Sequence, residues 1–297
     1  MTAGAPHAEA ATRGVRLAQL GLGVNGLLAL VKLVAGLLGH SQALIADATE
    51  SFADLFSSVV VWSGVRIAGR APDAGHPFGH GKAEALAAGV VALMLLGASI
   101  GIAIGSVGEI LRPHQMPASF TLAVLVGVVL VKEGLFRIVR RGATAIGSQA
   151  VAADAWHHRS DAITSLAAFI GISVALLGGP GWEAADDVAA LVASGIIFYN
   201  GIQVLRPAVD ELMDRAPDSG LLDRVSRAAT SVAGVLAIEK LRGRKHGRHY
   251  FLEIHVQADA RLSLQDAHTL GHEVKAAICG AEPAVLDVLV HMEPFRP

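Results

Sequence analysis

Apolar residues run in long, nearly unbroken stretches over the first two thirds of the chain, then give way to short periodic patterns. A helix needs about 20 mostly apolar residues to cross a bilayer. Six stretches reach that length: about Val15–Leu38, Ala43–Ile67, Ala83–Leu111, Ser119–Val139, Gly147–Leu177 and Ala184–Leu205. Stop residues separate them, with Pro113 after the third, Gly178-Gly179-Pro180 after the fifth and Pro207 ending the sixth. The pattern predicts a membrane α-helical bundle of six transmembrane helices over residues 15–207, preceded by a short tail, residues 1–14. The second and fifth stretches are the polar ones, as expected of helices that line a site.

From Asp210 onward charge is dense. Leu221–Val232 and Leu264–Ile278 have helical periodicity, whereas Val235–Arg242, Tyr250–Gln257 and Val285–His291 read as half-buried strands, with Gly247 in the turn between the first two. The order αββαβ predicts an α+β domain over residues 208–297, metallochaperone-like (ferredoxin-like), with an open sheet and helices on one face. About 85 residues hold only a modest core, and such domains often rely on dimerisation or metal.

Composition agrees with a membrane protein: charged residues are 17% of the 297, against the usual quarter. A net charge of −2 argues against nucleic-acid binding. The single cysteine, Cys279, excludes an internal disulfide and a multi-cysteine zinc site. Residues Met1–Ala11 lack the features of a secretory signal, so the first span is expected to act as an uncleaved insertion signal. Arg13 and Arg16, Arg66, Arg70 and Lys82, and Arg137, Arg140 and Arg141 fall on one side of the six spans, while the alternate loops hold Arg112. The positive-inside rule then predicts an integral, multi-pass protein of a bacterial inner (plasma) membrane with both termini cytoplasmic.

Two acidic motifs interrupt the apolar stretches: Asp47-Ala-Thr-Glu50-Ser-Phe-Ala-Asp54 and Asp154-Ala-Trp-His157-His-Arg-Ser-Asp161. Glu50 and Asp54, and likewise His157 and Asp161, are four residues apart and share a helix face. A charge near the bilayer centre costs about 2.5–3.5 kcal/mol even on lenient scales, so these residues are functional candidates. Four oxygen and nitrogen donors from two helices suit a divalent metal, and protons can replace the metal because ligands bind it deprotonated. The plainer alternative is a structural polar cluster, in which two acids pair with Arg159 or make helix–helix hydrogen bonds. His158 sits about 100° round the helix from His157 and reads as a non-ligand. Asp47 and Asp154, one turn from the donors, read as supporting or access groups. The shared Asp-Ala pattern is either a trace of an inverted repeat or chance.

Further residues carry a family likeness. Asn25, Lys32, Gly36 and Ser41-Gln-Ala-Leu-Ile-Ala-Asp47, then His76-Pro-Phe-Gly-His80-Gly-Lys82-Ala-Glu84, then Leu212-Met213-Asp214, occur in the order found in cation diffusion facilitators. The chain resembles these proton-coupled exporters of divalent metals from its first span to its end. The resemblance implies a transport site of Glu50, Asp54, His157 and Asp161 in a homodimer that alternates its access. Glu50 departs from the usual Asp or His. Three carboxylates and an imidazole suit Zn²⁺, the first expectation, and also Fe²⁺, Mn²⁺, Co²⁺ or Cd²⁺. Asp73, His76 and His80 match a second metal position, the alternative being a loop packed around Phe78 with solvated histidines. Lys82 and Asp214 match a hinge pair between spans and domain. His255, His268, His272, His291 and Glu293 match a regulatory metal cluster at a dimer interface, with Glu239 where a His is common. His246 and His249, in the basic segment Arg242–Arg248, read instead as a solvated turn.

The leading expectation is a secondary transporter that moves a divalent metal out and protons in, with membrane lipid as its surroundings. The alternative is a non-transporting metal sensor or assembly scaffold on the same fold. A membrane metalloenzyme is disfavoured by the lack of a His-Glu-x-x-His helix, a nucleophile elbow or a Gly-rich phosphate loop.

Overall fold

The computed structural model describes residues 5–111, 115–146 and 149–295, with the side chains of 5–18, 143, 145–146, 149–160 and 162–164 outside the described residues. Six long helices fall on the six apolar stretches: α1 (Ala5–Leu38), α2 (Gln42–Ala68), α3 (Lys82–Ile110), α4 (Phe120–Ile146), α5 (Gln149–Gly178) and α6 (Ala184–Leu212). Among the described residues, Gln19–Leu38, Lys82–Ile110 and Ala184–Leu212 are long and apolar enough to cross a membrane by length and composition. The acids of α2 and the Lys132–Arg141 charges of α4 lower the apolarity of those two helices.

One expectation is corrected. The sixth helix does not stop at Pro207 but continues through it to Leu212. Proline removes one donor, yet helices of membrane proteins tolerate it where neighbours satisfy the freed groups. Beyond the proline, Glu211 is itself anchored, accepting from Lys245 Nζ at 2.8 Å and from the Gly247 amide at 2.7 Å.

The chain divides into two compact units. In the first, which runs up to Val59 and resumes over Val91–Gln203, small residues let helices approach closely. A Cβ on Gly171 of α5 would lie 2.3 Å from the Ala189 Cβ of α6, so only glycine fits there. Ala43, Leu44, Leu125, Ile172 and Ala190 fill the core between them. Asp186 caps the start of α2 from α6: its Oδ1 accepts from Ser41 Oγ at 2.8 Å and its Oδ2 from the Gln42 amide at 2.6 Å. These contacts satisfy orphan amides of the α2 N-terminus. They also put the starts of α2 and α6 at one end, where α5 finishes, so α2 and α5 run antiparallel.

The second unit joins Val60–Val90 to the chain from Val204 onward. Its sheet has the order β1-β2-β3, from β1 (Ala237–His246), β2 (His249–Ala258) and β3 (Val285–Pro294), with β1–β2 antiparallel and β2–β3 parallel. Helices α7 (Ser219–Thr230) and α8 (Leu264–Ala281) start at the N-caps Asp218 and Ser263. Leu252, Ile254 and Val256 alternate inward from β2 and pack with Leu221 and Val225 of α7 and Val274 and Ile278 of α8. The expected αββαβ order and one-sided helix layer are therefore present. The basic segment is corrected: Arg242–His246 continues β1 rather than forming a solvated turn, and the turn is confined to Gly247 and Arg248, with Gly247 at φ 62°.

Candidate functional site

The acidic cluster is built around a clamp between α2 and α5. Ser165 Oγ lies 2.8 and 3.1 Å from the two carboxylate oxygens of Asp47. Asp47 also pairs with Lys32 of α1, Oδ1 to Nζ 2.9 Å, and both side chains are buried, 4% and 0% exposed. Lys32 donates further to Ser51 Oγ at 2.8 Å and to Ser165 Oγ at 3.3 Å. Every hydrogen of its ammonium thus meets an acceptor, as a buried cation requires.

The clamp sets the register of the donors. Along antiparallel helices rising about 1.5 Å per residue, Glu50 stands about 4.5 Å and Asp54 about 10.5 Å from Asp47. By the same rise, Asp161 and His157 stand about 6 and 12 Å from Ser165 in the same direction. The two motifs therefore alternate in depth over two helical turns. Glu50 and Asp54 are half-buried on α2, and Asp161 is half-buried on α5. The side chains of Asp154, His157, His158 and Arg159 lie outside the described residues.

Glu50 and Asp47 line a cavity of about 600 Å³ with Ala43 and small residues of α5 and α6. The cavity reaches Gly181 and Trp182, in the turn between α5 and α6. It gives the acidic cluster an opening toward the end of the unit where Asp186 caps α2.

One participant is not apparent in the apolarity pattern. Lys132 of α4 is 1% exposed and lies 2.5 Å from Asp161 Oδ2. It also donates to Asn25 Oδ1 of α1 at 2.8 Å. The sequence reading counted Lys132 among the residues of an apolar span. A lysine so far inside a span needs a buried acceptor, and that was the available signal.

In the second unit, Asp73, His76 and His80 converge in the loop before α3, with one ligand-type atom from each within 4.8 Å of the others. Asp73 Oδ1 lies 3.2 Å from His76 Nδ1, and Asp73 Oδ2 lies 3.3 Å from His80 Nε2. The His76 amide, donating to Asp73, leads the contacts that hold this carboxyl below its ordinary range. Phe78 meets Phe251 edge-on with ring centroids 5.6 Å apart, and the Arg244 guanidinium lies over its ring. Lys82 Nζ pairs with Asp214 Oδ1 at 2.8 Å and draws its pKa down. His246 is engaged as well: its Nε2 accepts from the Gly81 amide at 3.0 Å, and burial holds the ring below its ordinary pKa.

On the open sheet face, the pairing of β2 with β3 sets His255 beside His291 and Gln257 beside Glu293. His255 Nδ1 is 2.6 Å and His291 Nε2 3.5 Å from Glu293 Oε1. Glu239 occupies the irregularity of β1 between Ile238 and Lys240, where a bulge re-aims a side chain. A hydrogen bond shared with Glu239, with one proton between the two carboxyl groups, and then one with His255 hold Glu293 below its usual range. His255, His291 and Glu293 form the second group able to hold a metal among the described residues. His268 instead meets His272 edge-on on α8, ring centroids 4.6 Å apart.

Family models match nearly the whole chain. The cation efflux transmembrane domain matches residues 18–213, and the cation efflux protein cytoplasmic domain matches residues 217–295. The manganese efflux system protein MneP of Bacillus subtilis is 31% identical, over 94% of this chain and 96% of that protein. The cation-efflux pump FieF of Shewanella oneidensis is 31% identical, over 90% of this chain and 89% of that protein. Metal tolerance protein 2 of Oryza sativa is 33% identical, over 95% of this chain and 79% of that protein. A solved cadmium form of the MamM CTD is 26% identical, covering 26% of this chain and 95% of that one with a TM-score of 0.26.

Proposed function

The chain belongs to the cation diffusion facilitator family, and we propose that it exports a divalent metal cation from the cytoplasm in exchange for protons. The observation that carries this reading is the α2–α5 clamp, which sets Glu50 and Asp54 against Asp161 and position 157 in depth. In the proposed site these three carboxylates and His157 hold the metal within a bundle of six membrane-crossing helices. Protons discharge the metal on the far side, because carboxylate and imidazole donors bind it only when deprotonated. The cavity from Glu50 to Trp182 is the outer exit. Both termini lie in the cytoplasm, and two copies pair through the C-terminal domain.

Zn²⁺ fits the donor set, and its three hard oxygens extend the fit to Mn²⁺ and Fe²⁺. The likeness to a manganese efflux protein supports Mn²⁺ as a substrate. Asp73, His76 and His80, and separately Glu239, His255, His291 and Glu293, are proposed as further metal positions, with His268 contributed at the domain pairing. Lys82 and Asp214 act as the hinge pair. The test is metal uptake into proteoliposomes under a pH gradient, comparing Zn²⁺, Mn²⁺, Fe²⁺, Co²⁺ and Cd²⁺. The reading requires uptake of at least one metal that collapses when the gradient is dissipated.

A further inference from the structure

We propose that Lys132 is a tethered cation that occupies Asp161 when metal is absent and weakens metal binding when it is present. The proposal rests on Asp161 being a transport ligand, and it assigns a role to a residue outside the ligand set. Three observations carry it. Lys132 is 1% exposed, so its ammonium is buried within the helices. Its Nζ lies 2.5 Å from Asp161 Oδ2, a charge-assisted contact on the side chain assigned to the metal. Asn25 of α1 accepts from the same Nζ at 2.8 Å, giving the lysine a second partner besides Asp161.

The charges of the cluster give this contact its meaning. Among the described residues, Asp47 pairs with Lys32 and Asp161 with Lys132, and α2 adds the half-buried carboxylates Glu50 and Asp54. Among these described side chains the carboxylates outnumber the ammoniums, four to two. Lys32 is committed to the clamp through Asp47, Ser51 and Ser165. Lys132 is not tied to that clamp, and its carboxylate is the one the metal needs. A metal arriving at Asp161 therefore meets a fixed positive charge a few ångströms away, in a site of low dielectric where repulsion is strong. Loading requires the ammonium to give up Oδ2 and lean on Asn25. Unloading returns it to Asp161, so an emptied site does not keep a bare buried carboxylate. Lys132 thus lowers affinity and speeds release, which an exporter requires and a storage site does not.

The experiment is Cd²⁺ and Mn²⁺ uptake by the full-length protein in proteoliposomes, resolved into KM and maximal rate. Lys132→Met is expected to lower KM about tenfold or more and to lower the maximal rate with it. Lys132→Arg, which keeps the cation, should keep KM within a few-fold of the parent. Asn25→Asp gives the lysine a second carboxylate, draws it from Asp161 and should lower KM with Lys132 retained. That variant also decides the matter if Lys132→Met does not fold. An unchanged or raised KM in Lys132→Met or Asn25→Asp overturns the tethered-cation role. Asp161→Asn separates the two levels: parental uptake in that variant overturns the site itself, whereas lost uptake with an unmoved Lys132→Met KM overturns only the role of Lys132.

Discussion

Ser165 of α5 meets both carboxylate oxygens of Asp47 of α2, and Asp47 is paired at the same time with the fully buried Lys32 of α1. Three helices are therefore tied at one depth, one turn from the first donors on α2 and α5. Removing one partner of a buried ion pair leaves the other charge uncompensated and costs about 3–5 kcal/mol. Asp47→Ala is expected to destabilise the membrane unit by that order. Ser165→Ala, which removes its hydrogen bonds with Asp47 and Lys32 but leaves the ion pair, should cost less, about 1–2 kcal/mol. Thermal unfolding of the purified variants in detergent checks the ranking, and equal stability of the two would contradict the clamp.

Glu50 lines the cavity, and its side chain is one methylene longer than that of an Asp. Glu50→Asp withdraws an oxygen by about one bond, and Glu50→His replaces a hard donor with a softer one. Both should shift the order of Zn²⁺, Mn²⁺ and Cd²⁺ uptake more than the summed activity. Unchanged selectivity in a five-metal uptake panel would remove Glu50 from the ligand set.

Much of this arrangement was legible in the sequence. The αββαβ order followed from periodicity, and the Lys82–Asp214 pair from the family likeness. Asp73, His76 and His80 converge in the loop before α3. What stayed hidden depends on tertiary contact. Pro207 has the signature of a helix stop, but α6 continues through it to Leu212, and Glu211 in its last turn is anchored by Lys245 and the Gly247 amide. His246 read as solvated because the loop covering it is distant in sequence. Lys132 counted as one polar residue in an apolar run, and only the packing of α4 on α1 and α5 reveals its partners. His268 belongs in sequence to the histidine set of the C-terminal domain, yet within one chain its ring partner is His272.

The Gly81–His246 contact predicts a pH response. Burial lowers the pKa of His246 below its ordinary 6.5, so the contact contributes fully above pH 6.5 and is lost as pH falls through the folded value. Protonation also removes the Nε2 lone pair that accepts from Gly81. Lys82–Asp214 persists over that range, since the carboxyl titrates below its ordinary 3.8. Hydrogen exchange at Gly81, corrected for its intrinsic pH dependence, should accelerate below pH 6.5 in the parent and show no such step in His246→Ala. A step of equal size in the variant would assign the response elsewhere.

The open sheet face predicts metal-linked stability of the C-terminal domain. Ligand at a hundredfold excess over Kd stabilises a folded state by about 2.7 kcal/mol. The segment from Asp214 onward should dimerise, and Zn²⁺ should raise its Tm by several degrees. His255→Ala His291→Ala should abolish the shift. A Tm indifferent to Zn²⁺ in both forms would withdraw the regulatory position and leave the membrane site untouched.

The proposed transport site, Glu50, Asp54, His157 and Asp161, carries a divalent metal across the membrane against protons. Its most direct measurement is metal uptake into pH-clamped proteoliposomes by Asp54→Ala and Asp161→Ala, each first shown to fold by its thermal unfolding profile. The account predicts that both variants fold and that each loses essentially all gradient-driven uptake of every metal the parent transports. Parental uptake by either folded variant would contradict it.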